Sequence, residues 1–253
     1  MEKVNLLSIN VSTGTYEEFL TAILKSTESN ESRYACLANV HMLIEAYRSP
    51  DFAKVVRNAS IVTPDGMPLS WALKMLHGIK QERVAGMDLL PDLLHKAALN
   101  NIPVYFYGGQ KNMLEQANDY LKKQYPGLNV AGVYSPPFRP LSKEEDEAVI
   151  ERINNSGARL VFVVLGCPKQ ERWMAKMEGR INAVMIGVGG ALPVMLGIQK
   201  RAPDWMQHSG LEWLYRLGQE PVRLLERYVV TNTTFLVLLF KSYIHLKLSK
   251  KAV

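Results

Sequence analysis

The chain has little cysteine: Cys36 and Cys167 are the only two in 253 residues. That excludes a disulfide framework. It also lacks a long apolar run. The longest near the end, Phe235 to Phe240, has six residues, against about 20 for a membrane span, so no transmembrane helix is expected. The opening MEKVNLLSIN has neither the apolar core nor the small-residue cleavage site of a signal peptide. The five histidines, His41, His77, His95, His208 and His245, form no i, i+4 pair. No D-x-D stands at a strand end, so no metal site is expected. No G-x-x-x-x-G-K-[ST] occurs, and GVGGAL (187–192) has Leu192 where the last glycine of G-x-G-x-x-G would fall. The P-loop and dinucleotide-dehydrogenase readings both lose ground. No internal repeat or low-complexity segment is present. With 47% hydrophobic and 21% charged residues, the expectation is an ordinary globular protein of the cytosol.

What is there is unevenly charged. Of the formal +6, nine basic and four acidic residues lie between Lys200 and Val253, leaving 21 and 20 for the first 199. Such a tail suits nucleic acid, an anionic membrane surface or a phosphorylated substrate, or is simply a solvated helical face. No nucleic-acid motif accompanies it, so nucleic acid is not expected as a partner.

The first 199 residues alternate strand-like and helix-like segments. Strands are predicted at 4–11, 34–38, 60–62, 104–107, 129–134, 160–165 and 183–188, and helices fall between them. Thr15 with Glu18 and Ser142 with Glu145 are capping boxes, and Ser49-Pro50 is a cap followed by a first-turn proline. Strands alternating with helices predict an α/β fold with a mostly parallel sheet covered on both faces. After Gly197 the pattern is helical only, over 204–217 and from Pro221 to about 247. A catalytic unit of residues 1–199 and a helical appendage of residues 200–253 are therefore expected.

In open parallel sheets, ligands bind beyond the carboxyl ends of the strands. Glycine-rich turns fall there: Gly108-Gly109-Gln110, Gly166-Cys167-Pro168-Lys169-Gln170-Glu171, and Gly187-Val188-Gly189-Gly190. Such turns let backbone N–H groups approach a phosphate at a helix start, although glycines at helix starts are also ordinary in this fold. Asp65, in the turn Thr63-Pro64-Asp65-Gly66, is the candidate general base. Its plainer role is to form the turn or cap the next helix. Without a metal, a diphosphate leaving group needs arginines and helix dipoles. Arg201, Arg216, Arg223 and Arg227 lie in the tail, the last two one helical turn apart. Surface pairing with Glu212, Glu220 and Glu226 is the alternative for each. The segment 228–251 mixes apolar residues with Lys241, Lys247, Lys250 and Lys251. It suits a helix lying on a membrane surface, or one packed on the body or on a second subunit.

These residues carry a resemblance. Ala38-Asn39, Thr63-Pro64-Asp65-Gly66-Met67-Pro68 and Arg83-Val84-Ala85-Gly86-Met87-Asp88 resemble the bacterial WecG/TagA/CpsF glycosyltransferases. FYGG (106–109), GCPKQERW (166–173), GVGG (187–190), RAPDW (201–205), EWLYRL (212–217) and EPVRLLERY (220–228) continue it in order, from about residue 4 to 230. The resemblance implies transfer of a sugar from a UDP-sugar to a polyprenyl-diphosphate-linked saccharide, with inversion and without a metal or other cofactor. It implies a place on the inner face of the cell membrane, held by the C-terminal helices, and a role in surface polysaccharide synthesis. By position it implies Asp65 as base, Asn39 and Arg83 as pocket residues, Gln170 and Glu171 as a nucleotide-sugar motif, and Arg216 and Arg223 as diphosphate ligands. Arg227 joins the last pair by spacing, and Gly108, Gly109, Gly189 and Gly190 join as phosphate-turn residues. Teichoic-acid members carry a hydroxyl residue two positions before the asparagine, where this chain has Leu37. The donor is left open between an N-acetylmannosamine type and a hexose such as glucose. A homo-oligomer is compatible with the sequence, and a non-catalytic nucleotide-sugar-binding scaffold is the alternative function.

Overall fold

The computed structural model describes residues 1–249; Lys250 and Lys251 lie outside the described residues. The chain begins with an antiparallel hairpin, β1 (Lys3–Leu6) and β2 (Ile9–Ser12). The sequence pattern suggests one strand over 4–11. The chain instead reverses at Leu7, which has φ 58°, and Ser8 donates to the Leu43 carbonyl at 2.7 Å. A tight turn inside an apolar stretch is invisible to periodicity.

Helix α1 (Tyr16–Ser26) follows, opened by the Thr15–Glu18 capping box. Next come β3 (Arg33–Ala38), α2 (Val40–Arg48), α3 (Pro50–Asn58), β4 (Ile61–Pro64), α4 (Met67–His77) and α5 (Gly86–Leu99). Helix α2 is an addition to the sequence reading. Asn39 caps it, its side-chain oxygen accepting from the Met42 N–H at 3.2 Å. The chain then continues through β5 (Val104–Gly108), α6 (Lys111–Gln124), β6 (Val130–Tyr134), α7 (Lys143–Asn155), β7 (Leu160–Val164), α8 (Lys169–Met177), β8 (Val184–Gly187) and α9 (Ala191–Met195).

Six strands form one sheet in the order β4-β3-β8-β7-β5-β6, and every pairing is parallel. Side chains alternate between its faces. Cys36, Tyr107, Val163 and Met185 enter one apolar cluster. Leu37, Phe106, Phe162 and Ile186 enter the other. Helices cover both clusters, so the expected α/β architecture is present. The crossover from β7 leads inward to β8, and that from β5 leads outward to β6. Connections that diverge in this way leave a crevice at the carboxyl ends.

Past α9 the described chain is helical: α10 (Asp204–His208), α11 (Glu212–Gln219) and α12 (Pro221–Ser249). With 29 residues, α12 extends about 44 Å at 1.5 Å per residue. It is long and apolar enough to cross a membrane by length and composition, with a mean hydropathy of 1.3 in its best window. This corrects the sequence reading of the segment as too short. Counting uninterrupted apolar residues overlooked a stretch diluted by Thr231, Asn232, Thr233 and Thr234 but almost free of charge. The helix docks on α2 and α4 through buried Leu224, Thr231, Phe235 and Leu239. Each large apolar side chain removed from water there contributes roughly 1.5–3 kcal/mol. Val222, Leu225, Val229, Leu236 and Phe240 remain exposed. Their helical spacing places them in one outward stripe.

Candidate active site

A cavity of about 630 Å³ opens at the carboxyl rim of the sheet, and α11 and α12 form one of its walls. Most of the residues singled out in the sequence line it: Asn39, Asp65, Arg83, Gly109, Gln170, Gly189, Gly190, Arg216, Arg223 and Arg227. Gly108, Glu171 and Arg201 do not. Gly108 lies against the Val164 carbonyl, where a Cβ would come within 2.8 Å. Glu171 is fully buried behind the wall.

Asp65 is held by its backbone. Its N–H donates to the carbonyls of Ala38 at 2.7 Å and Thr63 at 3.1 Å. The neighbouring strand end also fixes the segment that carries Arg83. The Val84 N–H donates to the Pro64 carbonyl at 3.0 Å, and the Thr63 hydroxyl donates to the Val84 carbonyl at 3.1 Å. Burial, and next the nearby Glu212 carboxylate, push the Asp65 pKa up to about 7, with Asp88 adding a little and Arg83 and Arg216 opposing. A carboxylate poised near neutrality is suited to accept a proton from an attacking hydroxyl.

Gln170 serves as a brace. Its side-chain oxygen accepts from the Gly166 N–H at 3.0 Å, and its Nε2 donates to Glu171 at 2.8 Å. It also fills the space beside Gly187, where a Cβ would meet it at 2.7 Å. Glu171 is itself raised to about 7 by burial, against the bonds it accepts from Gln170, a backbone N–H and Cys167. Gln170 therefore braces the Gly166 turn from the cavity wall, and Glu171 holds Gln170 from behind it. Asn39 spends its oxygen on the α2 cap, while its Nδ2 makes no hydrogen bond among the described residues and can donate into the cavity.

The arginines divide into two kinds. Arg83 is taken up by Asp88 at 2.7 Å and Glu212 at 3.1 Å, with Gln207 at 3.4 Å. Arg201 pairs with the other oxygen of Asp88, and Arg223 pairs with Glu220. Arg216 and Arg227 have no ion pair among the described residues. Arg216 reaches over Gly190, where a Cβ would lie 2.8 Å from its guanidinium. Among the described residues, the Nε of Arg227 is buried without a hydrogen-bond partner, and so is Nδ1 of nearby His41. Burial, and next Arg227, lower the His41 pKa, so that imidazole is neutral at pH 7.

His41, Gln207, Glu212 and Phe138 were not singled out in the sequence as site residues, yet all four line the cavity. Glu212 opens the EWLYRL motif, and that was its only signal; a carboxylate in a first helical turn reads as an exposed dipole partner.

An open parallel sheet with a polar cavity at its carboxyl rim, holding a near-neutral carboxylate among arginines, is the architecture of an α/β enzyme. The chain belongs to the glycosyl transferase WecG/TagA/CpsF family, whose family model matches residues 4–249. The N-acetylglucosaminyldiphosphoundecaprenol N-acetyl-beta-D-mannosaminyltransferase of Bacillus spizizenii is 33% identical over 197 residues, covering 78% of this chain and 75% of the relative. The protein is thus a glycosyltransferase of cell-envelope polysaccharide synthesis, and the scaffold alternative is set aside.

Proposed function

We propose that the enzyme transfers a sugar, of N-acetylmannosamine type, from a UDP-sugar to a polyprenyl-diphosphate-linked N-acetylglucosamine, with inversion and without a metal. The acceptor and the sugar are those named for the Bacillus relative. The observation that carries the reading is Asp65: a carboxylate raised to about 7 on the wall of a cavity that also holds Arg216.

The acceptor hydroxyl attacks the anomeric carbon in line. The new C–O bond forms as the bond from that carbon to the diphosphate oxygen breaks. UDP departs with the electron pair, and the hydroxyl proton passes to Asp65. One displacement inverts the centre. Arg216 and Arg227, without an ion pair among the described residues, meet the diphosphate charge, with Arg223 available once it leaves Glu220. Backbone N–H groups at Gly109 and Gly190 add to that field, whereas the Gly189 N–H is spent on the Val163 carbonyl at 3.3 Å. In this reading residues 1–199 form the catalytic unit and residues 200–253 the appendage that closes it. The outward stripe of α12, with Lys241 and Lys247 near its end, rests on the cytoplasmic face of the membrane, where each lysine adds about 1 kcal/mol.

The test is a screen of UDP-sugars against polyprenyl-diphosphate-N-acetylglucosamine, with EDTA present and mass detection of the product. Wild type is expected to form product with UDP-N-acetylmannosamine, its rate falling below about pH 7 as Asp65 takes up its proton. Asp65→Asn is expected to lose roughly 10²–10⁴ in turnover. Near-full turnover by a folded Asn variant removes Asp65 from the chemistry.

A further inference from the structure

A network of polar side chains joins the appendage to the catalytic unit directly beside Asp65. Arg83 is its centre. Its guanidinium, 15% exposed, bonds Asp88 at the start of α5 and Glu212 at the start of α11. Gln207, buried in α10, also faces it, and Gln207 in turn accepts from Arg201 at 2.8 Å and donates to the Ala202 carbonyl at 2.7 Å. Arg201 closes the ring on Asp88. Two carboxylates therefore share Arg83, and the only one supplied by the appendage is Glu212.

We propose that Glu212 is a positioning residue for the transfer reaction: it holds Arg83 against Asp88 and places a second negative charge next to Asp65. The inference rests on the reading of Asp65 as the base. Its physical content is a charge count. The ionisable groups facing Asp65 are Arg83 from the segment before α5, Asp88 from α5, and Glu212 and Arg216 from α11. Without Glu212, Arg83 and Arg216 outnumber Asp88, and an ionised Asp65 gains a surplus of positive charge. Such a carboxylate is a weaker base, held by its arginines. With Glu212 in place the groups that act on Asp65 balance, Arg201 pairing with the other oxygen of Asp88 outside that set, and the proton affinity of Asp65 is restored by a residue of the appendage. Basicity at Asp65 thus depends on α11 being seated over the cavity.

Glu212→Gln tests this, because glutamine keeps an oxygen that can accept from Arg83 and removes only the charge. The readout is the pH dependence of kcat/KM. The acid limb of the variant is expected to move down by about 1 unit. At pH 6 the variant then keeps about fivefold more of its own plateau rate than wild type keeps of its plateau. Glu212→Asp, which retains the charge, is expected to keep the wild-type limb. A limb unmoved in Glu212→Gln, or moved upward, overturns the proposal whatever happens to the plateau, since a merely structural role lowers the rate without shifting the profile. A thermal unfolding midpoint near that of wild type confirms that the variant folds. Asp65→Asn, run alongside, separates the two ideas. If it is inactive while the Glu212→Gln limb stays put, the base stands and Glu212 loses its role. If it is active, both fall.

Discussion

The two walls of the cavity are built differently. On the side of the sheet, most polar groups are already occupied: Gln170 is spent on Gly166 and Glu171, the Asn39 oxygen on the α2 cap, and Arg83 on two carboxylates, while the Asn39 amide nitrogen and Nδ1 of His41 have no hydrogen-bond partner among the described residues. On the side of the appendage, Arg216 and Arg227 face the cavity with no ion pair among the described residues, and one nitrogen of Arg227 is buried without a partner. The sheet side offers shape and backbone N–H groups at fixed positions. The appendage offers charge. The cavity therefore has one half whose side chains bond largely within the chain and a cationic half with uncommitted donors. Buried donors left unsatisfied cost about 1–3 kcal/mol each, so an anion entering there removes a penalty as well as adding an attraction.

Three substitutions sharpen or break that contrast. The largest effect is expected from Arg216→Ala, with a loss of roughly 10²–10³ in turnover and a thermal midpoint unchanged within a few degrees. Steady-state kinetics alongside a melting curve decide it; a large stability loss with intact turnover would reverse the roles given to the two walls.

Glu171→Gln should act in the opposite sense, on stability alone. Burial raises the folded-state pKa of Glu171 to about 7, above its unfolded value of about 4.3. The folded protein then binds the proton more tightly than the unfolded chain. The stability this confers is fully present below about pH 4 and is lost as pH rises through 7. The glutamine variant keeps an acceptor for Gln170 and removes the buried charge, so it is expected to be more stable than wild type at pH 8 by about 1–3 kcal/mol. The two should converge near pH 4. Denaturant titrations at both pH values measure the difference, and an equal offset at both would show that the charge is not the cause.

The smallest effect is expected from Arg223→Ala. Its partner Glu220 sits three residues earlier, and the pair is solvent-exposed on the arginine side, where such pairs contribute about 0–1 kcal/mol. The stability change should be hard to measure. KM for the UDP-sugar should rise by several-fold at most, well short of the Arg216 effect. Equal losses for both arginines would mean that the Arg223–Glu220 pair opens fully in the working enzyme.

Much of this was legible in the residues themselves. Strand-to-helix turns rich in glycine marked the carboxyl rim, because only a chain freed from Cβ clashes can turn so tightly there. Gly109 and Gly166, both at φ 78°, are the clear instances, while Gly190 instead leaves space that Arg216 fills. The caps at Thr15, Ser49 and Ser142 announced their helices correctly. What escaped was set by tertiary packing. Leu7 reverses the chain inside what looks like one strand. Glu171 sits inside a site motif yet points into the core, a matter of which helical face turns inward. Glu212 looked like an ordinary helix-start acid, and only the approach of Arg83, 129 residues away in sequence, gives it a task.

Helix α12 lies along α2, and Phe235 and Leu239 seat it in the same apolar cluster as Met42 and Leu43. The first residue before α2 is Asn39, on the cavity wall. This 29-residue rod is therefore one helix removed from an amide on the cavity wall. One short helix thus stands between the exposed apolar rail and the cavity, since Val40, His41 and Met42 of α2 line the cavity while α12 packs along the same helix.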